Sequence, residues 1–352
     1  MSALHFIVPP GIEDATRPSG GNAYDRRIAR GLAAAGWSVH VHEVAGSWPS
    51  PDARSFGALA ALLAGIPDCA LVLLDGLVAS PAPDVLSSEA ERLRLVVLVH
   101  MPLGQGTTDD GARAREGAVL SAAASVVTTS AWARRALLQL YALPADRVHV
   151  AEPGVDPAEL APGTETAGAF LSVAAVIPGK GHDVLLDALA PLAGFRWQCE
   201  CVGSLERDPA FVERLRRRVL DDGLNGRVRF PGPQAEADLA CSYAAADVLI
   251  LPSRAETYGM VIAEALARGL PVVAAEVGGV PEALGRNADG SRPGLLVPPG
   301  DPAALRDALR TWLEDPGLRR RLRAAARERR ASLADWSTTT SAVAEVLLGA
   351  AL

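Results

Sequence analysis

The chain has 352 residues, of which 49% are apolar and 21% charged, with a formal net charge of -7. This is the balance of a packed globular protein long enough for two domains, and it excludes a disordered or fibrous chain. The acidic balance and the lack of a long basic run argue against a nucleic-acid partner held through phosphate contacts.

In chain order, the first nine residues carry neither a basic stretch nor a long apolar core of the secretory type, so the cytoplasm is the simplest compartment. Leu4 to Val8 reads as a strand, Gly20-Gly21 as the turn after it, Ala23 to Ala35 as a helix stopped by Gly36, and Ser38 to Val44 as a second strand. The apolar tract 57–74 is broken by Pro67 and Asp68, leaving no uninterrupted span of about 18 residues and hence no integral membrane segment. Further strands are expected at Ala70 to Leu74, Leu95 to His100 and Ser125 to Thr129. Alternation of apolar strands with helical patterns is the trace of parallel βαβ units.

Residues 153–168 are rich in Pro, Gly and acidic residues and read as a linker. A second α/β series follows. Its strands are expected near Ala169 to Val173, Arg196 to Val202, Val228 to Phe230, Val248 to Leu251, Pro271 to Ala274 and Gly294 to Val297. Helices fit Asp183 to Leu192, Pro209 to Asp222, Glu236 to Ala245, Tyr258 to Arg268 and Pro302 to Leu313. The arginine-rich segment Leu318 to Arg330 suits a solvated helix, and Trp336 to Leu352 is apolar at helical spacing, fit to pack back on the body and across both domains. The expected fold class is α/β, with two doubly wound Rossmann-like domains at 1–152 and 169–335. The four cysteines, Cys69, Cys199, Cys201 and Cys241, are too sparse for a disulfide scaffold and are expected as buried thiols.

The chemistry concentrates after the strand ending at Leu251. A loop carries Arg254, Glu256 and Thr257, and a helix starts at once, so the amides of Tyr258, Gly259, Met260 and Val261 would offer donors and a positive dipole end to a diphosphate. Glu264 is expected about two turns inside that helix, reaching another part of the same ligand. Taken singly, Glu256 could cap the helix and Glu264 face solvent. Two acids eight residues apart around a glycine, followed by Gly-Leu-Pro-Val-Val, point instead to a ligand site at the carboxyl edge of a parallel sheet.

Lys180 is the chain's only lysine and stands in Pro-Gly-Lys-Gly after another strand, where an ammonium suits phosphate oxygens. The upstream glycine of a P-loop is missing. Gly20 and Gly21 would let backbone approach a phosphate, Gly203 and the Gly278-Gly279 turn would do the same after later strands, and His100 ends a strand at the same kind of sheet edge. No Cys or His cluster has metal-ligand spacing, so no metal is expected.

On these residues the chain resembles the retaining glycosyltransferases of family 4, with their GT-B fold and a Glu-x7-Glu motif matched by Glu256 and Glu264. The resemblance covers nearly the whole chain. It implies a glutamate beside the donor sugar (Glu256), one on the nucleotide ribose (Glu264), Lys180 on the donor diphosphate, and Gly20-Gly21 between donor phosphate and acceptor. Ser130 with Trp132 matches another position of the family. The resemblance further implies an acceptor-side N-terminal domain, a donor-binding C-terminal domain, and a nucleotide sugar that is co-substrate rather than cofactor. The expected catalytic set is Glu256, Lys180 and His100, and the partners are the nucleotide-sugar donor and a small-molecule or glycan acceptor. The acceptor-selecting loops are expected at 12–18 and 103–113; no pattern encodes the oligomeric state.

The chain departs from the family at Ala175, where an arginine is usual five residues before the lysine. Three readings of that departure stay open: another arginine such as Arg254 reaches the leaving group, donor affinity is weakened, or catalysis is lost. The alternatives to a transferase are accordingly a catalytically silent nucleotide-sugar binding protein, or a GT-B sugar phosphorylase or epimerase.

Overall fold

A computed structural model describes residues 3–14 and 18–351. The chain divides into two compact units, the first comprising 3–14, 20–154 and 335–351 and the second 18–19 and 155–334. Each is built on a six-stranded sheet whose paired neighbours all run parallel.

In the first unit the strands are β1 (Ala3–Val8), β2 (Ser38–Glu43), β3 (Leu71–Asp75), β4 (Arg94–Val99), β5 (Ser125–Thr128) and β6 (Val148–Val150). In the second they are β7 (Ala169–Val173), β8 (Gln198–Val202), β9 (Val228–Gly232), β10 (Val248–Leu251), β11 (Val272–Ala275) and β12 (Gly294–Val297). The central strands are apolar without alternation because both faces are covered: every residue of β3, β5, β10 and β11 is buried.

The order of the first sheet is β2-β1-β3-β4-β5-β6 and that of the second β12-β11-β10-β7-β8-β9. Winding reverses between β1 and β3 in one sheet and between β7 and β10 in the other. At such a reversal the loops leaving two adjacent strands diverge, so the crevice outside their carboxyl ends is where doubly wound sheets take ligands.

Aspartates set many helix starts. Asp52, Asp109, Asp208, Asp301, Asp315 and Asp335 each accept a backbone amide of the first turn, satisfying donors that have no carbonyl partner. Buried Asp247, just before β10, accepts from the Thr164 and Ala169 amides at 2.7 and 2.9 Å and from Arg323 at 2.7 Å. It thereby ties the segment entering β7 to the arginine-rich helix Pro316–Arg330. That helix is therefore not simply solvated: Leu322, Ala325 and Ala326 are buried on its inner face.

The final helix, Trp336–Ala350, places Val343 and Leu347 in the core of the first unit beside Tyr24, Ile28 and Leu32. Its Thr340 sits where a side chain on Gly31 would have to go. Of the four cysteines only Cys199 and Cys201 are buried, on one face of β8; Cys69 and Cys241 are exposed. Cys69 falls in a turn at positive φ before β3, and Cys241 lies on a helix whose sole buried residue is Tyr243. No helix among the described residues is long and apolar enough to cross a membrane.

Candidate functional site

In the second unit, the loops leaving β7 and β10 meet at the winding reversal. After β7 the chain turns through Pro178–Lys180 and passes Gly181 at φ +70° into the helix His182–Leu189. A Cβ on Gly181 would fall on the Pro252 carbonyl, and the Arg254 amide donates to Gly179 O at 2.9 Å, so the two loops are in backbone contact. That contact delivers Lys180 to Glu256: Nζ donates to Oε1 at 2.6 Å, and Ser253 Oγ donates to the same oxygen at 2.9 Å. The Glu256 side chain is 11% exposed and that of Lys180 27%, so the pair is screened from water on most sides. Ser253 is fully buried.

The loop after β11 backs this one. Gly278, at φ +54°, and Gly279 lie where any Cβ would strike the carbonyls of Glu256 and Thr257, and the Gly279 amide donates to Glu256 O at 3.1 Å. Behind β8, Gly203 at φ +151° is pressed on the Ala174 carbonyl, and its amide is engaged by Gly232 O at 3.0 Å. Glycine is required at these positions because only its missing side chain allows loops to approach backbone to backbone.

Glu256 does not cap the helix. The N-cap is Gly259, at φ +93°, and the helix runs Met260–Ala267. It therefore starts two residues later than the sequence pattern suggests, leaving Thr257 and Tyr258 in the preceding loop and bringing Glu264 to little more than one turn inside. The Met260 and Val261 amides are the ones at its open end. Glu264 is half-buried rather than solvent-facing; Tyr243 donates to its Oε2 at 2.7 Å, and burial pushes its carboxyl above the ordinary value. The Arg268 guanidinium lies 4.5 Å from the Tyr243 ring.

Arg254 is committed elsewhere. Its two terminal nitrogens each lie 2.8 Å from an oxygen of Asp183, and one also donates to Pro178 O at 2.6 Å. This bidentate geometry directs the guanidinium to the first turn of the His182–Leu189 helix rather than alongside Lys180. His182 is buried with both ring nitrogens lacking a hydrogen-bond partner among the described residues, and burial pushes it down to about 4, so it is neutral.

The first unit assembles a second group of residues at the reversal between β1 and β3. Gly20 and Gly21 are not a turn but the first residues of the helix Gly20–Ala34, and a Cβ on Gly21 would come within 3.3 Å of the His100 ring. His100, just past β4, places Nε2 2.8 Å from Asp25 Oδ1 and 3.6 Å from Asp75 Oδ2. Both aspartates are fully buried. Asp75 is the last residue of β3, and its Oδ1 accepts the Leu77 amide at 2.6 Å.

The chain beyond His100 is fixed by buried Glu116, which accepts from the Leu103 and Gly104 amides at 2.9 and 2.8 Å and from Tyr141 Oη at 2.5 Å. Ser130 caps the helix Ala131–Tyr141 through the Ala133 amide. Of the loop 12–18, residues 15–17 lie outside those described.

Asp25, Asp75, Glu116, Ser253 and Tyr243 were not singled out from the sequence. Two had a readable signal: an acid at position 25 shares the helical phase of buried Ile28 and Leu32, and Leu-Val-Leu-Leu-Asp ends a wholly apolar strand in a carboxylate.

Two protein families match consecutive parts of the chain: Glycosyltransferase Family 4 over residues 18–159 and Glycosyl transferases group 1 over residues 162–329. Among curated relatives, D-inositol 3-phosphate glycosyltransferase 1 of Catenulispora acidiphila is 34% identical over 70% of this chain and 62% of its own length. The D-inositol 3-phosphate glycosyltransferase of Jonesia denitrificans is 35% identical over 64% of this chain and 57% of its own. The match thus spans about three-fifths of the length of these relatives. Among solved structures, sucrose-phosphate synthase of Thermosynechococcus elongatus superposes with TM-score 0.81 at 24% identity, covering 99% of both chains. HepE of Anabaena, in complex with UDP and glucose, gives 0.79 at 21% over 98% of this chain and 99% of that one. At these identities the likeness is one of fold, the two-domain α/β GT-B fold.

Proposed function

This chain belongs to the glycosyl transferases of group 1 and family 4, and from that premise we propose that it moves a sugar from a nucleoside diphosphate donor to an acceptor hydroxyl, with retention at the anomeric carbon and without a metal ion. The observation that carries the reading is the convergence of Lys180 and Ser253 on one oxygen of Glu256, beside the open amides of the helix Met260–Ala267. A largely screened carboxylate paired with an ammonium, next to a positive helix end, is an arrangement that a diphosphate and a sugar can enter by exchanging partners. Lys180 turns to phosphate oxygens while Glu256 turns to the sugar.

In this reading the second unit binds the donor and the first the acceptor. The bond from the anomeric carbon to the diphosphate oxygen breaks, and Lys180 with the Met260 and Val261 amides takes up the charge on the leaving group. The acceptor oxygen bonds to the same face of that carbon, and its proton passes to the departing phosphate. Glu264, held by Tyr243, takes the ribose. The charge that a divalent cation would supply comes from an ammonium and backbone dipoles.

The named relatives make an inositol phosphate the first acceptor to test, and the HepE complex makes UDP the first nucleotide. The deciding experiment incubates the purified chain with UDP, GDP, ADP and TDP sugars and hydroxyl acceptors, following binding and product mass. Sugar appearing on an acceptor is the expected result, and donor consumed without acceptor would redirect the reading to a phosphorylase or epimerase. A second reading, a silent nucleotide-sugar binder, is favoured by one observation: Ala175 removes a cation, and Arg254 is held by Asp183 instead of replacing it. Donor binding without transfer would support it.

A further inference from the structure

Asp25 and Asp75 are both withdrawn from water at the reversal between β1 and β3, and two adjoining carboxylates in that setting do not both ionise. Burial pushes Asp75 to about 8 and Asp25 to about 7, so the pair keeps at least one proton near neutrality. One oxygen of each aspartate and a ring nitrogen of His100 lie within 4.8 Å of one another, and the influence of each acid on the other lowers Asp25 and raises Asp75, which favours the proton on Asp75. Asp25 Oδ2 is buried without a hydrogen-bond partner among the described residues, and a proton held between the two acids would supply one. Asp25 Oδ1, 2.8 Å from His100 Nε2, is then left as an anionic acceptor.

Two described neighbours bear on this group. Tyr24 meets the His100 ring edge-on at 5.2 Å and gives its hydroxyl to Ala151 O, while the Arg26 charge favours the ionised form of Asp25 through space. Burial lowers His100, so the imidazole is neutral, with one N–H and one lone pair. Gly21 seals one side of the ring, where any side chain would be tight.

We propose that Asp25 and Asp75, sharing a proton, are positioning residues that hold His100 as the Nε2–H tautomer and so leave Nδ1 as its acceptor for a substrate hydroxyl. The substrate half of this inference rests on the transferase reading above; the positioning half does not. The logic is that of a carboxylate fixing an imidazole tautomer, with the second carboxyl removing the cost of a second buried charge. The donated hydroxyl hydrogen keeps its oxygen in a set orientation, and no covalent step runs through the histidine.

The test begins without substrate. Nitrogen-15 NMR of the full chain, with the His100 signals assigned by their loss in His100→Gln, is expected to show the Nε2–H tautomer. Asp75→Asn, whose amide replaces the shared proton, should retain it, whereas Asp25→Asn should shift the ring toward Nδ1–H. With an active donor and acceptor pair, Asp25→Asn should lower kcat on the order of 100-fold while donor KM changes less than about threefold, a split that general loosening of the fold would not give.

An Nδ1–H tautomer in the unsubstituted chain, or an unchanged tautomer and kcat in Asp25→Asn, overturns the inference. So does stoichiometric binding of Mn2+ or Zn2+ that is lost in Asp25→Asn, since the acids would then be ligands. If Asp25→Asn does not fold, the tautomers of the unsubstituted chain and of Asp75→Asn still decide. Absence of transfer by the unsubstituted chain would overturn the substrate half alone.

Discussion

Gly278 lies against the carbonyl of Glu256 so closely that no side chain fits between them, although the two residues belong to loops leaving different strands. The conformation of Glu256 is thus set by a loop that follows it in sequence by a strand and a helix. Gly278→Ala would force a Cβ into that carbonyl at φ +54°, and we expect about 3 kcal/mol of lost stability or a displaced Glu256 loop. Denaturant unfolding and nucleotide affinity measured on the same variant check this; a fully stable variant with unaltered affinity would contradict it.

Lys180→Met keeps the length of the side chain and removes the charge. Because the ammonium is the nearest cation to Glu256 and the chain's only lysine, UDP affinity is expected to fall by about 10-fold or more, as loss of a charge-assisted hydrogen bond implies. Calorimetry at two salt concentrations provides the check. Equal affinity of variant and parent would remove Lys180 from the phosphate site.

Buried Glu116 accepts two amides of the chain beyond His100 and the Tyr141 hydroxyl, the Gly104 bond buried and the other two partly so. Glu116→Ala leaves those donors without their acceptor, so a loss of about 2 kcal/mol is expected, chiefly from the buried Gly104 amide. The amides of Leu103 and Gly104 should also exchange faster with solvent. Hydrogen exchange read residue by residue would separate this local effect from global unfolding.

The acid pair also predicts a pH dependence of stability. Its folded values, about 7 for Asp25 and about 8 for Asp75, lie above the ordinary 3.8. Between those limits the folded chain binds more protons than the unfolded one. The pair's contribution is therefore complete below about 4 and is lost as pH rises toward 7 to 8. His182 opposes it: its folded value, about 4, lies below 6.5, so its contribution is present above 6.5 and is lost as pH falls toward 4. The difference in unfolding free energy between the parent and the Asp25→Asn/Asp75→Asn double variant isolates the acids, and should decline from pH 4 to 8. A flat difference would show that the carboxyls titrate normally.

Much of the architecture was legible from residue order. Strand runs such as Val248–Leu251 and Val272–Ala275 declare themselves because a strand covered on both faces must be apolar throughout, and glycines and prolines punctuate the helices between them. The Glu256 and Glu264 pattern and the isolated Lys180 could be singled out as chemistry for the same reason: short-range spacing around a strand end and a helix start is a local property. Local spacing misplaced the helix start by two residues because Gly259 takes a left-handed conformation that the run Glu-Thr-Tyr-Gly-Met does not announce. It likewise read Gly20-Gly21 as a turn, whereas both lie within the helix.

Composition and periodicity determined that this is an α/β protein with a candidate ligand loop after the strand at 248–251. Tertiary structure alone decided which groups meet: that Lys180 reaches Glu256, that Arg254 is taken by Asp183, and that Asp25 and Asp75 enclose the edge of His100. Those pairs are separated by 25 to 76 residues, and they are brought together by the order in which parallel strands are laid beside one another. Strand order is set by the packing of whole helices and sheets, an interaction summed over many side chains, and no short stretch of sequence carries it.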